Sequence, residues 1–207
     1  MKKLVMILMA ICLTVPATVN AQSKAVKKEV KAKLKEYKKK GFEVFGTSRT
    51  LEAVLTKHYQ TLEEKDGQVF EVFGTSTARS RNVAASAAQN SAANRYATNA
   101  SAQIKGRMLA DMASNASNPD EEFDKFYSVY EGKVEQEIRG ELRPSFSVAH
   151  QNEDGTILVE AYYLVDEEAA SRARIKAFEI SKNESEAAQK YAQKVSDFVN
   201  ERVQPEN

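Results

Sequence analysis

The sequence is poor in the residues from which many catalytic and metal sites are built. It has one cysteine, Cys12, and two histidines, His58 and His150, so no cluster has the ligand spacing of a zinc or transition-metal site. No Gly-x-Ser-x-Gly motif marks a nucleophilic serine, and no carboxylate pair is tightly spaced in an apolar setting. Both histidines are interpreted as surface or boundary residues. We therefore predict a protein that is not an enzyme and holds no metal and no cofactor.

Long apolar runs are also missing. The longest, over residues 4–15, is shorter than the roughly 20 residues that cross a bilayer. Two lysines precede it and small residues follow it at positions 19–21, an arrangement typical of a secretory signal peptide over residues 1–21. Cys12 lies inside the run after Ile11, which does not favour lipid attachment there. The prediction is an exported protein, periplasmic or outer-membrane-associated, whose core is stable without disulfides.

The chain also has no large excess of basic over acidic residues or of acidic over basic residues. The chain has 30 basic and 29 acidic residues, and removal of the two leader lysines changes the net charge from +1 to −1. This balance argues against a dedicated nucleic-acid binder. About 185 residues remain after cleavage, enough for one domain of ordinary size.

A lysine-rich segment over residues 22–41 opens the remaining chain. Val26, Val30, Leu34 and Tyr37 recur at helical spacing among lysines, which predicts an amphipathic helix ending at Gly41. We favour the interpretation in which its apolar stripe packs on the domain and the lysines remain solvated. The alternative is peripheral contact with an anionic envelope surface through residues 24–40.

One heptapeptide, FEVFGTS, occurs at residues 42–48 and again at 70–76. Phe and Val alternate with Glu in each copy, which is typical of a half-buried strand. Leu51, Val54, Leu55, Tyr59 and Leu62 follow the first copy at helical spacing. The predicted unit is a strand, a Gly-Thr-Ser segment and a helix. A turn joins it to a second strand, a second Gly-Thr-Ser segment and a second helix.

The two Gly-Thr-Ser segments are the candidate ligand-binding residues. Glycine permits a sharp turn, and the hydroxyl groups can cap the helix that follows. Helix amino termini also attract anions, although neither copy is a complete phosphate loop. We favour the capping role. The candidate ligand-binding residues are Gly46, Thr47, Ser48, Gly74, Thr75 and Ser76.

The rest of the chain alternates helical and extended patterns. Residues 77–116 predict one long helix with a stripe of small side chains that frays near residues 115–118, the alternative being a flexible linker between two domains. Pro119 begins a helix whose aromatic face is typical of a core. Residues 145–150 and 156–165 predict a hairpin around Asp154-Gly155. Residues 167–203 predict helices with a break near Asn183, and the tail 204–207 is predicted to be disordered.

These patterns resemble those of a known family. VFEVFGTSTARSRNVAASAAQNSAANRYATNASAQIKGRMLA, followed later by SFSVAHQNEDGTILVEAYYLV, is similar to the bacterial twenty-kilodalton outer-membrane lipoprotein family, which includes the amino-terminal domain of the flagellar assembly protein T. The resemblance covers residues 42–166, but the lipidated cysteine of the namesake is missing. It implies an envelope or assembly protein and carries over no catalytic residue.

The predicted fold is a single α+β domain, a small four-stranded mixed sheet covered on one face by long helices. The two FEVFG strands would be parallel if adjacent, because a strand–helix–strand unit joins them. Residues 42–166 would form the core domain, with the helices of 167–203 packed on it. The predicted function is an exported structural or protein-interaction protein with an envelope protein partner. The alternative is a binding module for a small anionic or glycan ligand, using the Gly-Thr-Ser turns or the aromatic helix.

Overall fold

The computed structural model describes residues 23–112 and 119–203. The predicted signal peptide, the predicted frayed segment 115–118 and the predicted disordered tail 204–207 lie outside these ranges. The strands are β1 (Glu43–Phe45), β2 (Val69–Ala78), β3 (Arg143–Gln151) and β4 (Ile157–Asp166). The helices are α1 (Lys24–Lys39), α2 (Leu51–Glu64), α3 (Arg81–Met112), α4 (Pro119–Arg139), α5 (Glu167–Ser181), α6 (Glu186–Lys190) and α7 (Ala192–Asn200).

The four strands form one sheet in the order β1-β3-β4-β2. The α+β class and the four-stranded sheet are confirmed, but the predicted mixed arrangement is wrong because all three pairings are antiparallel. The two FEVFG strands are not neighbours. The β3–β4 hairpin lies between them, so β1 and β2 occupy opposite edges of the sheet and run in opposite directions.

Helices cover both faces of the sheet, so the prediction of a single covered face is wrong. On one face α1 and α2 pack against a cluster that includes Phe146, Val148 and Tyr162. On the other face α3, α4, α5 and α7 enclose the larger cluster, which takes Val159, Ala161 and other alternate residues of β4. This division follows from the period-two alternation of side chains along a strand.

The stripe of small residues in α3 explains how this long helix approaches the sheet. Every predicted stripe position is buried, which confirms the docked helix. Its predicted start is wrong, because residues 77 and 78 belong to β2 and α3 begins at Arg81. The stripe consists of Ala84, Ala88, Ala92, Tyr96, Ala100, Ile104 and Met108. The aromatic face of α4 is also confirmed as core, since Phe123, Phe126 and Tyr130 are fully buried.

The hairpin and the carboxyl-terminal break agree with the sequence patterns. Gly155 in the β3–β4 turn has a φ of 79°, a left-handed conformation that favours glycine. A 3-10 turn over Lys182–Glu184 separates α5 from the shorter helices. Within the described ranges, no helix is both long enough and apolar enough to cross a membrane.

Candidate functional site

The first Gly-Thr-Ser segment forms a turn rather than a helix start. Gly46 directly follows β1 and has a φ of 80°, and α2 begins only at Leu51. The helix cap is Thr50, whose Oγ1 accepts the N–H of Ala53 at 3.3 Å. The prediction that a hydroxyl group of the first Gly-Thr-Ser segment caps α2 is therefore wrong, because the turn is longer than expected and the cap lies two residues beyond Ser48.

The second Gly-Thr-Ser segment lies inside β2, so the prediction that it starts a helix is wrong. A Cβ atom on Gly74 would be 2.0 Å from the carbonyl oxygen of Ala88 and 2.4 Å from the backbone nitrogen of Ala92. Glycine is required here because the backbone of α3 crosses directly over it. The six candidate residues thus lie at opposite edges of the sheet and do not converge, and ligand binding at either segment stays a prediction.

A cleft at the outer edge of β2 is the candidate functional site, and we call it the edge cleft. Its volume is about 350 Å³, within the range of ligand pockets in proteins. The end of α2, the first half of β2, the middle of α3 and the residues after α7 form its walls. It is lined by Leu62, Asp66, Val69, Phe70, Glu71, Val72, Phe73, Arg95, Tyr96, Asn99, Arg202 and Val203.

Some backbone groups of β2 on this side have no hydrogen-bond partner within the described ranges. The carbonyl of Gln68 accepts a hydrogen bond from the N–H of Glu167 at 2.8 Å. Gln68 is therefore hydrogen-bonded toward the β4 side, and in the observed register so is every second residue of β2 after it. Hydrogen bonding alternates along an antiparallel pair, so Glu71, Phe73 and every second residue to Thr77 direct N–H and C=O outward. The pairing runs over ten residues with no register shift, so β2 presents a regular edge.

Side chains from both faces of the sheet meet at this edge. Phe70 stacks on Tyr96 of α3, with ring centroids 5.6 Å apart. The ring of Phe73 packs on the α2 side of the sheet, yet the guanidinium carbon of Arg95 lies 4.3 Å from its centroid. Because Arg95 belongs to α3, its side chain passes the outer edge of β2 and shields it near Phe73.

Glu71 connects the edge cleft to a buried histidine. His58 Nε2 lies 2.5 Å from Glu71 Oε2, and His58 Nδ1 lies 2.8 Å from Ser145 Oγ. His58 has no exposed surface, so its prediction as a surface or boundary residue is wrong. It belongs to the sheet-facing side of α2, where a hydroxyl and a carboxylate satisfy both ring nitrogens.

A hydroxyl, an imidazole and a carboxylate in sequence also occur in serine hydrolases. Here the carboxylate end faces the edge cleft, while Ser145 lies at the irregularity in β3 between Pro144 and Phe146. The buried imidazole therefore stands between the serine and the cleft. This geometry suits a histidine that holds the Glu71 carboxylate in position.

Arg174 fixes the wall of the edge cleft that Tyr96 and the residues after α7 form. This arginine is 1% exposed and donates to the Tyr96 hydroxyl at 2.5 Å, the Val199 carbonyl at 3.0 Å and Glu167 Oε1 at 3.0 Å. Burial raises the pKa of Tyr96 to about 12, so its phenol is neutral at physiological pH. Arg202 also approaches Glu167, with Nε 3.6 Å from Oε2.

Sequence reasoning did not find the edge cleft. Its lining comes from four separate segments, and neither Arg95 nor Arg202 belongs to a motif. One sequence signal could have pointed to the edge cleft, because Tyr96, which lines it, interrupts the run of alanines in the stripe of α3. Among the described residues, no group of three or more histidine, cysteine, aspartate and glutamate side chains could hold a metal ion.

Comparison of the chain with protein-family profiles, with curated protein sequences and with solved structures finds no match. The resemblance of residues 42–166 to the twenty-kilodalton lipoprotein family therefore stays a prediction. Any functional conclusion has to come from the surface of the molecule itself.

Proposed function

We propose that this protein is a non-catalytic protein-interaction protein of the cell envelope, and that its partner adds an extended segment to the free edge of β2. The observation that supports this proposal is the regular ten-residue edge of β2, which has no strand beyond it among the described residues and a cleft along its first half. An edge with unpaired N–H and C=O groups is a template for another strand, and several peptide-binding domains use one.

The composition of β2 supports the same conclusion. Natural edge strands are commonly blunted by lysine, proline or a bulge. β2 has no lysine, no proline and no bulge, and Glu71 is its only charged residue. Arg95 shields the region of Phe73, while Thr75 and Thr77 farther along are exposed.

Site-specific photocrosslinking in the native envelope followed by a matched pair of variants tests this proposal. A photoreactive side chain at Thr77 should capture one protein, and the same group at Thr98 on the exposed side of α3 should not. Binding of the captured protein should then be lost with Thr75→Pro, which removes one outward N–H and no bond to β4. Thr75→Ala is the control and should bind normally.

Two results would contradict the proposal. One is equal capture from Thr77 and Thr98, and the other is normal binding of the captured protein by Thr75→Pro. Hydrogen exchange gives an independent readout, because the amides of Glu71, Phe73 and Thr75 should become protected when the partner binds. Protection confined to another surface would also count against strand addition.

A small anionic ligand is the second candidate, favoured by the two arginines that line the edge cleft. The buried aromatic face of α4 is not available to a glycan, so the aromatic part of that alternative is withdrawn. Thermal unfolding with a panel of phosphates and carboxylates tests the candidate. A rise in Tm that Arg202→Gln abolishes would support it, and no rise with any anion would exclude it at the concentrations used.

The envelope location rests on residues 1–21, whose composition is typical of a signal peptide. Cell fractionation with amino-terminal sequencing of the purified protein tests it. We expect a mature chain that begins at Gln22 in the periplasmic or outer-membrane fraction. A chain that retains Met1 in the cytoplasmic fraction would contradict the export.

A further inference from the structure

One side of α1 carries a dense array of lysines, which we call the lysine face. At 100° per residue, seven of the nine lysines of residues 24–40 fall within an arc of about 120°, and neither glutamate of the segment lies inside that arc. All seven are exposed. The lysine face consists of Lys24, Lys27, Lys28, Lys31, Lys35, Lys38 and Lys39.

The opposite side of α1 is buried in the domain, which fixes the direction of the lysine face. Val26 and Val30 are each 4% exposed and Tyr37 is 1% exposed. The Tyr37 hydroxyl donates to that of Tyr162 in β4 at 2.8 Å, so the helix is also joined to the sheet by a buried hydrogen bond. The lysine face therefore points away from the sheet toward solvent.

The acidic residues of α1 do not neutralise this face. Glu36 pairs with Lys33 at 3.3 Å and with Lys40 at 2.7 Å, and both of these lysines lie outside the arc. Among the described residues, none of the seven ammonium groups of the lysine face is within ion-pair distance of a carboxylate. Like charges three and four positions apart destabilise a helix, so the array opposes the stability of α1.

The segment that carries the lysine face has a strong positive net charge, while the rest of the chain has a negative one. Residues 24–40 have nine lysines and two glutamates, a net charge of +7. Residues 41–207 have 19 basic and 27 acidic residues, a net charge of −8. The near-zero overall charge therefore hides a strong separation, and a separation of this kind orients a protein toward an anionic surface.

We propose that the lysine face binds the anionic headgroups of a lipid bilayer and holds the domain against the membrane by electrostatic attraction alone. The face is straight and about 23 Å long over 15 residue steps, which suits a flat surface. It contains no arginine, whose planar fork is the usual device for recognising individual phosphates. The apolar stripe packs inside the domain, so α1 does not insert as an interfacial amphipathic helix does.

Vesicle co-sedimentation of the mature chain tests this proposal. Vesicles of phosphatidylcholine with about one third phosphatidylglycerol should bind the protein, and vesicles of phosphatidylcholine alone should not. Binding should be lost at about 1 M salt, where the Debye length falls to roughly 3 Å. Each lysine near such a surface contributes about fivefold, so Lys27→Gln, Lys31→Gln and Lys35→Gln together should weaken binding on the order of a hundredfold.

A second triple variant with the same change of charge is the control. Lys65→Gln, Lys125→Gln and Lys190→Gln alter exposed lysines outside α1 and should leave vesicle binding within about twofold. The lysine-face variant should fold normally, and its Tm should stay the same or rise because like-charge repulsion is removed. Equal losses in both triple variants, or equal binding to neutral vesicles, would overturn the proposal. Binding to heparin without binding to anionic vesicles would also overturn it.

Discussion

The equivalent glycines of the two FEVFGTS copies, Gly46 and Gly74, lie in different environments. Substitution by alanine should therefore lower the free energy of unfolding by different amounts at the two positions. Gly74→Ala would put a Cβ atom 2.0 Å from the Ala88 carbonyl oxygen. That oxygen has to withdraw by about 1 Å to reach the 3.0 Å below which real Cβ contacts are essentially never found. The atom belongs to helix backbone, so α3 has to move as a unit. We expect a loss of about 3 kcal/mol or more, at the upper end for overpacking.

Gly46→Ala should cost less, for another reason. A Cβ atom there meets nothing within 4 Å, so the cost is only that of holding alanine at a φ of 80°, about 1–2 kcal/mol. Gly106→Ala is the matched control inside α3, where a Cβ atom is also unobstructed. Alanine is the better helix former, so this variant should be more stable by about 0.5–1 kcal/mol.

Urea unfolding followed by circular dichroism measures all three variants. For a chain of this size, 1 kcal/mol corresponds to roughly 2–4 °C in Tm, so the Gly74→Ala loss is also visible by heating. The expected order of stability is Gly106→Ala, wild type, Gly46→Ala and Gly74→Ala. Equal losses at Gly46 and Gly74 would refute the close approach of α3 to β2.

Three further predictions concern the cap, the buried arginine and alkaline pH. Thr50→Ala should lower the free energy of unfolding in urea by about 1 kcal/mol, because Thr50 caps α2. Ser48→Ala should change it by less than about 0.5 kcal/mol. A larger loss for Ser48→Ala than for Thr50→Ala would refute the assignment of Thr50 as the cap. Arg174→Ala should lower the free energy of unfolding by about 3–5 kcal/mol, because it breaks the buried network, and Arg172→Ala, at an exposed position, by about 0–1 kcal/mol. Equal losses in the two variants would contradict the stabilising role of the buried network. The raised pKa of Tyr96 means that folding favours its neutral phenol, so this stabilisation is complete below the unfolded pKa near 10 and is lost as pH rises to about 12. Urea midpoints across pH 9–12 should fall for wild type and fall less steeply for Tyr96→Phe, and parallel curves would show that Tyr96 does not contribute.

Much of the fold could be predicted because periodicity reports burial directly. The stripe of α3 and the aromatic face of α4 were both readable as core from spacing alone. The two FEVFG strands were readable as strands, but their pairing was not. Adjacency along the chain suggested a parallel pair, whereas the β3–β4 hairpin occupies the space between them. That insertion depends on pairings between residues 79 to 106 positions apart in the sequence, which no local pattern contains.

The two proposed functional surfaces differ in the same way in how far the sequence predicts them. The lysine face is local to one helix, so its charge was readable from the sequence, and burial of Val26 and Tyr37 then fixed its direction. The edge cleft was not readable, because it arises only where α2, β2, α3 and the residues after α7 meet. His58 was misjudged for the same reason. Its partners Glu71 and Ser145 come from two other elements, and only they make its burial tolerable.

The lysine face and the edge cleft lie on different sides of the molecule, which determines whether both proposals can hold at once. The lysine face is directed away from the sheet on the α1 and α2 side. The edge cleft opens at the lateral edge of the sheet, where β2 has no neighbouring strand in the described part of the chain. A bilayer under α1, as proposed, would therefore leave the outward backbone groups of β2 accessible to an extended segment lying along the membrane. The layer of α3, α4 and α5 faces the opposite way. We therefore expect the proposed membrane attachment and the proposed partner binding to be independent, so that loss of either one in a variant should leave the other intact.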